Sequence, residues 1–265
     1  MKASARIVAE ADARGGTRLA VLHGEPPLLL RRTGDRTAGN VTVHLVGGAA
    51  GPLRGDDLRL DLTVGPGATL DVRSVAAQLV LPGRPGLPPS RLEIRAEVAA
   101  GGALRWLPEP LIAATGCDHV TITRVDVATG GALLWREDVV CGRHDEPPGN
   151  LRTETTIRYD ARVLYRHDLS VGPAAPGWSG AAVLGDGRAV GTVVTTPPPA
   201  TAAWAPRAER GPLTGDFAVL PLAGPGLLAT AVGTDIRQVR AALDPLCAPT
   251  PPATRSTPPN ITLNA

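Results

Sequence analysis

Apolar side chains recur at every second position over most of the chain: Leu58, Leu60 and Leu62; Leu92, Ile94 and Ala96; Leu133, Trp135, Val139 and Cys141; Leu151, Ile157 and Tyr159. A period of two is that of β-strands with one buried face. Earlier segments at 5–10, 17–23, 28–32 and 41–46 are predicted strands, divided by Gly15-Gly16 and Pro26-Pro27. His44 falls on the polar side of its strand, where it reads as a solvated histidine. Residues 163–169 predict another strand, and 181–184 and 188–194 around Asp186-Gly187 predict a hairpin with a type I′ turn. Helical periodicity is confined to Ile236, Val239 and Leu243, behind a capping Asp235 with Gln238 three residues on, and Pro245 is predicted to stop that helix.

A repeat orders the strands. Val64-Gly65-Pro66-Gly67-Ala68-Thr69-Leu70-Asp71-Val72 returns as Val98-Ala99-Ala100-Gly101-Gly102-Ala103-Leu104-Arg105-Trp106, and again as Val127-Ala128-Thr129-Gly130-Gly131-Ala132-Leu133-Leu134-Trp135, at offsets of 34 and 29 residues. Each copy is a strand end, a glycine-bearing turn and a new strand. One such unit cannot bury its own apolar face, whereas stacked units can. The expected fold is mainly β, a β-helix-like or stacked β-sheet body with a short C-terminal helix; a β-sandwich of similar hairpins is the alternative. Before the third copy, Val120 and Ile122 set an apolar phase that slips at Thr123-Arg124, which predicts a bulge.

Composition narrows the class. With 31 Gly, 27 Pro and only seven aromatics (four Trp, two Tyr, one Phe), turns abound and Val, Leu and Ala must fill the core. The 27 basic and 25 acidic residues are spread without a block, so no nucleic-acid footprint is visible. Cys117, Cys141 and Cys247 are widely spaced and odd in number, which favours a reducing compartment over a disulfide framework. No signal-peptide core or membrane-length apolar run is present, so a soluble cytoplasmic protein is expected. Residues 1–247 read as one β domain and 248–265, rich in Pro and Thr, as a disordered tail.

The candidate chemistry gathers in 133–157. Glu137 stands in phase with Leu133, Trp135, Val139 and Cys141, where one more apolar residue is expected. A carboxylate aimed into an apolar layer costs several kcal/mol unless hydrated, paired or protonated. Either the space it faces is wet, or a bulge or an ion pair with Arg143 or Arg152 relieves it. Asp56, in phase with Leu58 and Leu60, poses the same question. Cys141-x-x-His144 has a spacing that a soft metal could use, and Cys117-Asp118-His119 is a second such cluster, but neither supplies four ligands. Trp106, beside Leu107-Pro108-Glu109-Pro110, is a core residue or a partner contact at an extended edge. Gly177-Trp178-Ser179-Gly180 is similar to the nucleophile turn of trypsin-like serine proteases, with Trp178 where that family has Asp.

Taken together, several stretches resemble the urease accessory protein UreD (UreH) family: Gly55-Asp56-Asp57-Leu58, Val64-Gly65-Pro66-Gly67-Ala68, Trp106-Leu107-Pro108-Glu109-Pro110, Trp135 through Glu137 to Gly142-Arg143, and Gly149 with Leu151-Arg152-Thr153. The stretch 73–79 departs from that family's T-T-Q-A-A-T-K pattern. The resemblance implies a β-helix-like, non-enzymatic scaffold that binds apo-urease, UreF and the GTPase UreG and helps deliver nickel, with Ni²⁺ in transit and no tightly bound cofactor. On that reading Glu137 and Asp56 line a transient nickel path with Cys141 and His144 as helpers, and Trp106, Pro108, Arg143 and Arg152 meet partners. A generic β-repeat binding module and a hydrolase using Ser179 are the alternatives.

Overall fold

The computed structural model describes residues 1–34, 39–197 and 216–248. Five strands, β1 (Lys2–Ala11), β5 (Asp57–Val64), β8 (Ser90–Val98), β11 (Asp118–Val127) and β13 (Asn150–Tyr159), run parallel in register in one sheet. Opposite them, β4 (Val41–Gly47), β6 (Thr69–Ser74), β9 (Ala103–Leu107) and β12 (Ala132–Val140) stack in parallel. The chain passes from one sheet to the other and back, giving about four turns of a β-solenoid. Two short strands, β7 (Gln78–Val80) and β10 (Leu111–Ala113), continue the second wall beside β12.

The sequence repeat is the ladder of turns that joins the sheets. Ala68, Gly102 and Gly131 each donate their amide to the carbonyl three residues back, at 3.2, 2.9 and 2.8 Å. Successive turns are bonded in turn: Gly67 N–H to Gly101 O at 3.2 Å and Gly101 N–H to Gly130 O at 3.0 Å. All three glycines hold φ between 70° and 79°, the left-handed region required at the third residue of such a turn.

Antiparallel strands close the stack. β2 (Thr17–Gly24) covers β1, β3 (Leu28–Thr33) covers β4, and β14 (Arg162–Val171) covers β13. β15 (Ala189–Thr196) lies between β12 and β17 (Leu227–Gly233), with β16 (Asp216–Pro221) outside. The expected Asp186-Gly187 hairpin does not form: 181–186 is a run of turns, and β15 finds its partners 50 residues upstream and 40 downstream instead. The helix α1 (Ile236–Cys247) is capped by Asp235, whose side chain accepts from the amides of Arg237 and Gln238. It runs past Pro245 rather than stopping there. Pro245 cannot donate to the carbonyl of Ala241 four residues earlier, and the turn beyond it is held by burial of Leu246 and Cys247. The tail expected to be disordered lies outside the described residues, apart from Ala248.

Inside, the first coils are oily: Ala5, Ile7, Leu58, Leu60, Leu62, Leu70 and Leu104 are all fully buried. The later coils are not. β11 carries no bulge; its register with β8 and β13 is unbroken over its whole length. The side chains it turns inward are His119, Thr121, Thr123, Val125 and Val127. What looked like a phase slip is a strand whose buried face is polar from His119 to Thr123 and apolar from Val125 on.

Candidate functional site

Glu137 faces inward from β12, as its alternation with Trp135 and Val139 requires. Its two oxygens accept three hydrogen bonds, all from neutral groups. Thr123 Oγ1 and Trp135 Nε1 donate to Oε1 at 3.1 and 2.9 Å, and Thr155 Oγ1 donates to Oε2 at 2.7 Å. Among the described residues no cation pairs with it: Arg143 is engaged by Glu146 at 2.8 Å and Arg152 by Glu154 at 2.9 Å. Trp135 is itself held by a stack on Trp106, ring centroids 4.9 Å apart and planes 12° apart.

This carboxylate is part of the wall of a cavity of about 460 Å³ between the sheets, at the end of the solenoid away from the turn ladder. Leu58, Leu60, Leu92, Ile94 and Trp106 form its apolar sides, and Thr121, Thr153 and Glu137 its polar end. Its rim is built by residues 45–52 and 74–79 with Pro108 and Leu111. Thr121 and Thr153 are register partners on adjacent strands, as are Thr123 and Thr155. Four hydroxyls thus form a block on one sheet opposite the single carboxylate on the other. On the far side, the Tyr165 phenol is pushed upward by burial and by the charge of Glu137, against a hydrogen bond from Thr192.

Beyond Thr121 on the same strand, His119 is 1% exposed. Its Nδ1 lies 2.8 Å from Ser90 Oγ and its Nε2 3.1 Å from Thr121 Oγ1. Burial pushes this imidazole down to about 4, with Asp56 and a Ser90 contact opposing. It was noted in the sequence only as part of Cys117-Asp118-His119, a cluster the fold disperses: Cys117 is buried with Sγ toward Asn150 O, and Asp118 pairs with Arg54 at 2.6 Å.

The other expected path residues do not converge on Glu137. Asp56 is buried, but in the turn before β5, where the N-terminal amine of Met1 at 2.8 Å and the Leu53 amide at 2.9 Å satisfy it. Strand phase was read onto a residue just outside the strand. Cys141 is fully buried among Val80, Ala113, Val139, Leu151 and Val190, and desolvation pushes its thiol up to about 11. His144 stands out in solvent beside Asp145. Cys141 and His144 therefore share a spacing but no site. Among the described residues, no three His, Cys, Asp or Glu side chains come together as a chelate. Trp106 is 4% exposed and belongs to the core, not to a partner surface. Pro108 sits on the cavity rim, while Arg143 and Arg152 are exposed in their ion pairs. Ser179 is exposed on a run of turns, and no imidazole hydrogen-bonds to it among the described residues.

Sequence reasoning missed the opposite face of β12. Arg136 and Asp138 point away from the cavity and are buried under α1. Arg136 bonds Asp138 at 2.9 Å and Asp244 of α1 at 2.6 Å, while Arg240 of α1 pairs with Glu109. Arg105 adds a bond to the Cys247 carbonyl. The helix is thereby tied to β12 and β9, which fixes the strand that carries Glu137.

Fold and cavity define a β-solenoid scaffold with an acid-ended interior space. The model of the family described as UreD urease accessory protein matches residues 1–262. Urease accessory protein UreD of Streptomyces avermitilis is 44% identical over 251 residues, covering 92% of this chain and 95% of that protein. The Streptomyces coelicolor protein of the same name is 43% identical over 251 residues, covering 92% and 94%. That of Frankia alni is 40% identical over 285 residues, covering 94% and 93%. The chain belongs to the UreD family of urease accessory proteins. No helix among the described residues is long and apolar enough to cross a membrane.

Proposed function

We propose that this chain is a non-enzymatic scaffold in urease maturation, working in the cytoplasm, which binds the urease apoprotein together with UreF and the GTPase UreG. Nickel is its cargo and passes through the Glu137 cavity on the way to the urease active site. The observation that supports this reading is the state of Glu137: a partly buried carboxylate with three neutral donors and, among the described residues, no counter-cation. A charge so placed is costly in a dry core and favourable where a divalent ion visits. Oxygen donors hold Ni²⁺ less firmly than thiolates, so a carboxylate with hydroxyl neighbours suits an ion that must leave again. The burial of Cys141 and Cys117 keeps thiols that would trap the ion out of reach.

Partner contacts are assigned to half-buried Pro108 on the cavity rim and to the exposed Arg143 and Arg152. Reconstitution tests the proposal. Tagged chain incubated with apo-urease, UreF and UreG is expected to bring down all three, and the mixture supplied with Ni²⁺ and GTP is expected to yield nickel-loaded urease. Failure to retain apo-urease would overturn the scaffold reading, and nickel loading unaffected by omission of the chain would overturn the delivery reading.

A further inference from the structure

We propose that His119 is a second contact for the travelling cation, reached when the Thr121 hydroxyl swings aside, and that it makes the path prefer borderline divalent ions over hard ones such as Mg²⁺. This rests on the delivery reading above and adds to it a residue that sets metal choice.

The Ser90 hydroxyl lies 3.2 Å from the Asp118 carbonyl and 2.8 Å from His119 Nδ1. With its proton on that carbonyl it accepts from Nδ1–H, and Nε2, 3.1 Å from the Thr121 hydroxyl, is then the acceptor; this is the tautomer that can meet a cation. The hydrogen-bond partner of Nε2, Thr121, is part of the cavity wall. Rotation of a single threonine about χ1 replaces a hydroxyl with an imidazole nitrogen at the wall. The deep burial of the ring keeps it neutral, and only the neutral ring has a lone pair to give.

The polar groups succeed one another along β11. Thr123 bonds Glu137, Thr121 faces the cavity, and His119 lies behind it. At about 3.3 Å per residue, Thr123 and His119 are roughly 13 Å apart along the strand, too far to share one ion. The contacts are successive, which agrees with the lack of a three-ligand cluster among the described residues. Carboxylate and hydroxyl oxygens suit Mg²⁺ and discriminate weakly against it, whereas an imidazole favours Ni²⁺ and Zn²⁺. A path with oxygen donors only would be flooded by the more abundant hard cation. One nitrogen contact supplies discrimination without building a trap.

The full chain labelled with ¹⁵N in its histidine rings tests this, using Zn²⁺ as a diamagnetic borderline probe and Mg²⁺ as the hard one. Among the five histidines, the His119 resonances are assigned by their absence from the His119→Asn spectrum. Its Nε2 resonance is expected to move to a metal-bound position with Zn²⁺ and stay in place with Mg²⁺. In the reconstituted system, excess Mg²⁺ is expected to depress Ni²⁺ loading by His119→Asn at least about tenfold more than it depresses loading by the wild type, each measured against its own loading without Mg²⁺, a tenfold change being about 1.4 kcal/mol. An Nε2 resonance indifferent to Zn²⁺, with wild-type resistance to Mg²⁺ in the variant, would overturn the role of His119 while leaving a Glu137-dependent path intact. Loss of all dependence on Glu137 would instead remove the path itself.

Discussion

Trp135 donates its indole N–H to the carboxylate of Glu137, two residues along the same strand, at 2.9 Å. The ring that makes this bond is fixed from behind by Trp106. Stack and hydrogen bond together hold a charged side chain in one orientation at the polar end of an otherwise apolar cavity. Trp135→Phe retains an aromatic face for Trp106 and removes the donor. A hydrogen bond to a charged group contributes about 1.5–3 kcal/mol, so the variant is expected to lose stability in that range, read as a lower urea midpoint. Trp106→Phe leaves all three donors of Glu137 in place and is expected to lose less.

The buried imidazole gives a pH signature. His119 titrates near 6.5 when unfolded and about 4 in the folded chain. Between those values the unfolded state binds the extra proton, so stability is full above about pH 6.5 and falls as pH drops toward 4. The shift corresponds to on the order of 3 kcal/mol. Thermal unfolding midpoints at pH 7, 6 and 5 are expected to decline in the wild type and to decline less in His119→Asn. Parallel declines would show that His119 is already protonated in the folded chain.

The helix on the back of β12 leaves no room at Gly191. A Cβ there would lie 2.6 Å from Val239 Cγ1 and 2.7 Å from Leu243 Cδ1, and closer still to the Asp138 carboxylate. Gly191→Ala is expected to destabilise the chain by about 1–3 kcal/mol, the usual cost of overpacking, and to loosen α1 first. Hydrogen exchange over 236–247 would report that loosening.

What the sequence revealed follows from how local each feature is. The turn ladder was legible because each copy of V-x-x-G carries its own positive-φ glycine, and Glu137 because its strand alternates cleanly around it. β11 was misread because the pattern assumes an oily interior, and His119, Thr121 and Thr123 line a polar one. The apparent bulge at Thr123 was the trace of a buried hydroxyl that donates to Glu137. Arg136 and Asp138 drew no reading from the sequence, because the helix that covers them begins 100 residues later. Asp56 and Cys141 were placed on the inner side correctly in phase, but phase does not distinguish a cavity wall from a satisfied turn or a packed thiol.

The most direct measurement is the nickel content of urease matured with Glu137→Gln. Glutamine keeps the length of the side chain and one acceptor oxygen for Thr123, Thr155 or Trp135, while removing the charge and turning the other oxygen into an N–H donor. The account predicts that the variant assembles with apo-urease, UreF and UreG as the wild type does and leaves urease nearly free of nickel. Wild-type nickel content in urease matured by the Glu137→Gln chain would contradict it.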